Sequence, residues 1–364
     1  MYEYLLSPYD LGRNRLKNRV VMAPMTRNRA EGNVPNSMMA TYYGNRAGAG
    51  LIITEGTSPS SNGLGYPRIP GCFNEEQRAG WKLVTDAVHA EGGKIFLQLM
   101  HTGRVTHPDN LPPGGRVLAP SSVPLKETPM YVDGKGMVDM PLAQEMNLND
   151  ITVTITEYAE AAKLAIEAGF DGVELHAANG YLLEQFISPI TNKREDQYGG
   201  SIADRLRFVR NVAEATVAAI GADRTGMRVS PYGYFNEMGP FDDVDETYTA
   251  LAELANEIGL VYLHIVDHEG MGAPPVPERI KGRLRKTFDG TLILSGNYNP
   301  HRAETDLRSD KGDLVAFGRP FIANPDLVER FRQRAELTLP DQETFYTPGP
   351  EGYLTYPTLE QMHD

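Results

Sequence analysis

The stretch Gly172-Val173-Glu174-Leu175-His176-Ala177-Ala178-Asn179-Gly180-Tyr181 reads as a short buried strand that runs into a polar turn. Gly172 to Leu175 is an apolar run interrupted only by Glu174. Three groups able to grip or protonate a small molecule follow it: His176, Asn179 and Tyr181. In α/β barrels and open α/β sheets, chemistry is done just past the C-terminal ends of the strands. A second stretch, Leu314-Val315-Ala316-Phe317-Gly318-Arg319-Pro320, is a strand entering a Gly-Arg turn suited to a phosphate. Together the two point to a cofactor lying across the mouth of a barrel.

On either side of these stretches, short β-rich runs alternate with longer helix-like segments. Strands are predicted at 20–22, 51–54, 95–98, 172–175, 225–230, 262–266, 292–295 and 314–317. Helices are predicted at 36–46, capped by Asn36 or Ser37, and at 75–90, stopped by Gly92-Gly93. Further helices are predicted at 150–168, 202–220, 245–258, 277–288 and 325–333. Eight strands in this alternation are what a (β/α)8 TIM barrel needs. The rhythm breaks at 103–148, which is rich in Pro and Gly, too long for an ordinary βα connection and reads as an excursion over the active face. Leu5, Leu11 and Leu16 lie among turn residues and suggest an N-terminal hairpin plugging the barrel bottom. An open doubly wound sheet is the alternative, weakened because no GxGxxG follows the first strand. Residues 1–364 are read as a single barrel domain, with the aromatic and proline-rich tail from 339 packing back onto it.

Composition narrows the function. The chain has 364 residues, 41% of them hydrophobic, enough for one large core. Its net charge of -13 repels nucleic acid and anionic membranes, so neither is expected as a partner. Cys72 is the sole cysteine, which rules out an intrachain disulfide and any multi-cysteine zinc or iron–sulfur site in this chain. It has no basic neighbour in sequence and reads as a buried structural thiol. His264, Asp267 and His268 after the sixth strand look metal-like, but no metal is expected. Residues 1–10 carry no basic-then-apolar leader and no apolar run reaches a membrane span, so a cytoplasmic setting is expected.

The motifs carry a resemblance. Ala23-Pro24-Met25-Thr26, Ile53-Thr54-Glu55-Gly56, Gln98-Leu99-Met100-His101, His176 through Tyr181, and Phe317-Gly318-Arg319-Pro320 occur in this order. So do Tyr42-Tyr43, Gly65-Tyr66, Gly103-Arg104, Ser188-Pro189, Asn297-Tyr298 and Asn324-Pro325-Asp326-Leu327. Across nearly its whole length the chain resembles the old yellow enzyme family of FMN-dependent ene-reductases. The likeness is to the classical bacterial branch with N-ethylmaleimide, morphinone and nitrate-ester reductases.

The resemblance implies tightly bound, non-covalent FMN at the C-terminal face and NADPH or NADH as reductant. It places Ala23, Pro24, Met25, Thr26 and Gly56 around the flavin ring, Gln98 at its pyrimidine edge and Arg228 near N1 and O2. A fixed positive charge there favours electron uptake. Gly296, Gly318 and Arg319 would take the phosphate. His176 and Asn179 would bind the oxygen of an electron-poor alkene, and Tyr181 would protonate its α-carbon. Tyr66, Met100 and Tyr353 would line the substrate pocket. The implied activity is reduction of activated C=C bonds, with nitrate esters or nitroaromatics as a side capacity, in a monomer or homodimer. The chain departs from some relatives at Met100, where they carry a bulky aromatic, at Cys72, where an aliphatic residue is common, and at Asn179, where others have a second histidine. Substrate size and stereochemistry are therefore not carried over.

Three rivals are weighed against this reading. A flavin-free phosphate-binding aldolase or isomerase often needs a strand-end lysine for Schiff-base chemistry, and none is found. A dienoyl-CoA reductase of the same superfamily needs a cysteine-ligated cluster. A non-catalytic scaffold leaves the apparent cofactor contacts without a use.

Overall fold

A computed structural model describes residues 2–363. In chain order its strands are β1 (Tyr9–Leu11), β2 (Asn14–Leu16), β3 (Val20–Met22), β4 (Leu51–Ile53) and β5 (Ile95–Leu99). Then come β6 (Leu118–Ala119), β7 (Met130–Val132), β8 (Gly136–Val138), β9 (Gln144–Glu145) and β10 (Gly172–Ala177). The last four are β11 (Thr225–Val229), β12 (Tyr262–Ile265), β13 (Thr291–Leu294) and β14 (Leu314–Phe317). Eight of them close a barrel in the order β10-β11-β12-β13-β14-β3-β4-β5, every neighbour parallel. These are the eight strands expected from the alternation, and the open-sheet alternative is excluded.

The helices begin where side-chain oxygens satisfy their free N–H groups. Asn36, and not Ser37, caps Ser37–Gly44 by accepting from Met39 N–H. Asn74 caps Glu75–Ala90, Ser201 caps Ile202–Ile220, and Asn147 with Asp150 forms a reciprocal capping box on Leu148–Glu167. Four helices escape the sequence reading, the last of them Leu359–His363 at the end of the tail. Leu182–Ile187 is buried at every position and so shows no periodicity. Pro300–Arg308 is polar, with its buried face confined to Ala303, Glu304, Asp306 and Leu307. Arg319–Ala323 is a separate single turn ahead of Leu327–Gln333.

Strand alternation divides the barrel interior by chemistry. Val21, Leu51, Ile53, Phe96, Tyr262, Ile293, Leu314 and Ala316 form one apolar cluster inside it. Gln98, Glu174, His176, Arg228 and His264 alternate with outward residues on β5, β10, β11 and β12, and give the other part a polar lining. The β1–β2 hairpin closes the apolar end. Leu11 and Leu16 are fully buried in the interior cluster, whereas Leu5 packs into the separate core outside the strands. Gly12 turns the hairpin at φ +54, with its Cα so close to Asp223 that a Cβ would stand 2.6 Å from the carbonyl oxygen. Arg13 pairs with Asp223 beside it at 2.5 Å.

Residues 103–147 are the excursion. β6 pairs with β9, and β7 with β8 forms an antiparallel hairpin. Met130 and Met140 from this segment pack with Met100 and Tyr181, so the excursion covers the C-terminal end of the barrel. No helix among the described residues is long and apolar enough to cross a membrane.

If Leu16 plugs the barrel, Leu16→Ala leaves a void that neighbouring strands cannot fill. We expect a loss of about 2–5 kcal/mol, seen as a lower urea midpoint. An unchanged midpoint would show that the hairpin is dispensable.

Candidate active site

The polar lining of the barrel is organised by Glu174. Its Oε1 accepts from Gln98 Nε2 at 2.8 Å, and its Oε2 lies 2.9 Å from His264 Nδ1. Register sets Gln98 beside Glu174, His176 beside Arg228, and Arg228 beside His264. Burial alone would raise the pKa of Glu174, but His264, Arg228 and the bond from Gln98 hold it below the ordinary value. Arg228 is the counter-charge, and it is only 8% exposed. Its guanidinium makes no hydrogen bond among the described residues, and its Nε is buried without a partner.

Above this floor stands the turn that ends β10. His176 is buried, its Nδ1 lacks a partner, and burial followed by Arg228 drives its pKa well below 6.5. The imidazole is therefore neutral. The Asn179 Oδ1 is also buried and unpartnered. Tyr181 is 5.2 Å from His176, ring centre to ring centre, and its hydroxyl lies 3.0 Å from that of Tyr66. Burial pushes Tyr66 up to about 12 and, with Tyr66 beside it, Tyr181 well above 10. Met100, Tyr66 and Tyr181 share one apolar cluster. Gly56 makes room for it, since a Cβ there would be 2.4 Å from Met100 Sδ.

The remaining cofactor candidates gather at the ends of β3, β13 and β14. Ala23 continues β3 by donating its N–H to Phe317 O at 3.0 Å, and Pro24, Met25 and Thr26 follow half-buried. Gly318 borders them: the nearest atom to a Cβ there is Met25 Sδ at 3.5 Å, then Ala23 Cβ at 4.0 Å, so glycine leaves space open beside both. Gly296 sits at φ +115, tight against Asp267. Arg319 is exposed and donates once, from Nη1 to Gly270 O at 3.2 Å. An unpaired buried polar group costs about 1–3 kcal/mol. An unpaired guanidinium, imidazole nitrogen and amide oxygen on one barrel rim therefore suit a polar ligand that bonds them. FMN fits this donor set, with Gln98 Oε1 and Thr26 Oγ1 also free of hydrogen bonds among the described residues.

Tyr353 stands apart from Tyr66 and Tyr181. Its ring stacks on Tyr42 at 4.0 Å and lies under the guanidiniums of Arg27 and Arg29. The tail residue near enough to influence both hydroxyls is Tyr346. It is 59% exposed. Arg29 positions this segment by donating to the carbonyls of Thr344, Phe345, Gly349 and Glu351, while Arg27 donates to those of Phe345 and Gly352. Asn236, Ser230 and Glu184 also reach the β10 turn and were missed in sequence, because an isolated polar residue, whether on a buried helix, at a strand end or in a turn, carries no pattern. Near the metal-like loop, His264 is engaged by Glu174, and Asp267 forms a 2.8 Å ion pair with Lys281.

Comparison with known proteins shows the family and the fold. The profile of the NADH:flavin oxidoreductase / NADH oxidase family matches residues 4–338. A rice relative (Oryza sativa subsp. japonica), 12-oxophytodienoate reductase 7, is 41% identical over 98% of this chain and 95% of its own. Morphinone reductase superimposes with a TM-score of 0.95 at 42% identity, covering 99% of this chain and 97% of that one. Its complex with tetrahydroNAD gives a TM-score of 0.94, covering 99% of both chains. The old yellow enzyme homologue of Zymomonas mobilis gives 0.92 at 37% identity, covering 98% and 100%. The chain belongs to the NADH:flavin oxidoreductase / NADH oxidase family, in the old yellow enzyme branch that includes morphinone reductase.

Proposed function

We propose that this flavin oxidoreductase reduces the activated C=C bond of α,β-unsaturated carbonyl or nitro compounds, with NADPH or NADH as reductant and Tyr181 as proton donor. The observation that carries the reading is one rim holding an unpaired buried arginine, a neutral histidine, a free asparagine amide and a buried tyrosine hydroxyl. Arg228, Gln98 and Thr26 would hold the flavin ring, with Ala23, Pro24, Met25 and Gly56 around it and Gly296, Gly318 and Arg319 at the phosphate. When bound, FMN would supply the redox chemistry, the hydride relay between nicotinamide and the alkene β-carbon.

The other roles belong to the chain. His176 and Asn179 donate hydrogen bonds to the substrate oxygen. Those bonds strengthen as negative charge develops there, so they favour the transition state over the ground state. A neutral His176 is suited to this, because it donates without holding a full charge in a buried site. Tyr181 gives a proton to the α-carbon. Its raised pKa keeps the hydroxyl protonated, an acid and not a base at neutral pH. The Tyr66 hydroxyl lies 3.0 Å from that of Tyr181, close enough to turn its O–H toward the oxygen once the proton has gone. Tyr66, Met100 and Tyr346 shape the pocket; Tyr353 supports it from behind through Tyr42. The substrates are small molecules, and a cytoplasmic monomer or homodimer is consistent with the acidic chain.

Tyr181→Phe should slow enone reoxidation of the reduced enzyme by about 100-fold or more while sparing flavin reduction by NADPH. Stopped-flow measurement of both half-reactions checks this, and two unchanged rates would remove Tyr181 as the acid. Because burial raises the pKa of both tyrosines, the wild-type enone half-reaction should hold its rate from about pH 8 to about pH 10. A fall across that interval would mean that an ordinary tyrosine is titrating. Arg228→Met should weaken FMN binding by about 10- to 100-fold. Equal affinity in a fluorescence titration would place the arginine outside the cofactor site.

A further inference from the structure

We propose that Ser230 and Glu184 are positioning residues for substrate binding, locking the Asn179-Gly180 turn so that the Asn179 amide faces the substrate oxygen. The proposal rests on the reading of Asn179 as an oxygen anchor.

Asn179 and Gly180 both adopt left-handed backbone, at φ +60 and +72. β10 has ended at Ala177, so no barrel strand holds this turn. All four of its backbone polar groups are instead bonded to side chains. Asn179 N–H donates to Ser230 Oγ at 2.9 Å, and Asn179 C=O accepts from Asn236 Nδ2 at 2.7 Å. Gly180 N–H donates to Glu184 Oε2 at 2.5 Å, and Gly180 C=O accepts from Gln185 Nε2 at 2.7 Å. Ser230 is itself held, because its hydroxyl donates to Glu184 Oε1 at 2.6 Å, which also accepts from Tyr248 at 2.8 Å. Two of the four ties therefore converge on one carboxylate.

Strained backbone at a non-glycine residue survives only where its surroundings over-determine it. Here they also leave no room to relax. A Cβ on Gly180 would lie 2.9 Å from Asn236 Cβ and 2.9 Å from Met238 Cγ. Asn179 Oδ1 has no protein partner, so its backbone is what orients the side chain. Glu184 suits the task chemically, since a carboxylate accepts all three donors, whereas an amide offers one oxygen. Its pKa is pushed up to about 7 by burial, with no cation among the groups that act on it.

A double-mutant cycle separates positioning from general support. The probe is 2-cyclohexenone, titrated into FMN-loaded, oxidised enzyme and followed by the change in flavin absorption. Ser230→Ala should raise its Kd by about 5- to 10-fold, the value of one hydrogen bond, with FMN content unchanged. In an Asn179→Ala background, Ser230→Ala should add nothing, because Ser230 acts through the missing side chain. Glu184→Gln should show the same non-additivity by a second route. The proposal fails if Asn179→Ala weakens binding but both other substitutions do not, or if their factors multiply in the double variants. If Asn179→Ala itself leaves Kd unchanged, the anchor reading falls first and the positioning role falls with it.

Discussion

A carboxylate and a guanidinium inside the same barrel set the terms for everything at its mouth. Burying either charge alone would cost several kcal/mol. Glu174 and Arg228 offset each other, and Glu174 takes two further bonds from Gln98 and His264. Arg228 makes no direct bond to Glu174 or to any other described group. The arrangement leaves the arginine electrostatically tolerable yet chemically unsatisfied, which is the condition for receiving a ligand. It also fixes the Gln98 side chain, whose Nε2 donates to Glu174 and whose Oε1 accepts from no described group. Neutrality at His176 follows first from its burial and is reinforced by the same charge, because Arg228 opposes a second cation beside it.

The apolar part of the barrel makes this polar part affordable. Phe96, Tyr262, Ile293 and the hairpin leucines fill the interior beneath the charged residues and keep water from that end. Strands need only alternate to present both chemistries, so one closed sheet holds a packed core and a reactive rim. Loops then refine the rim: the 103–147 excursion brings apolar residues over Tyr181, and the loop after β11 brings Asn236 onto Asn179.

Barrel architecture was legible in sequence because strand spacing and helix caps are local signals. Asn36 is read as a helix cap and is used as one, and Gly92-Gly93 follows the helix that it is read to stop. Leu182–Ile187 was invisible because a wholly buried helix has no polar face to reveal its period. Leu11 and Leu16 plug the barrel as read, whereas Leu5 does not, since leucine alone says nothing about which core it joins. At the site, His176, Asn179 and Tyr181 stood out because they follow one strand. Tyr346 and Tyr353 are seven positions apart in an aperiodic tail, and only folding shows which approaches Tyr181. Arg27 and Arg29 decide that by drawing the carbonyls of residues 344–352 around them, a long-range contact that no local pattern encodes.

That tail also imposes an order on biogenesis. Residues 344–353 are synthesised after all eight barrel strands, so a nascent chain can close its barrel before Arg27 and Arg29 have found their carbonyl partners. During that interval the mouth lacks Tyr346, and the two guanidiniums lie without their final acceptors. The barrel mouth therefore takes its final shape only when the last part of the chain to be made has bonded to Arg27 and Arg29.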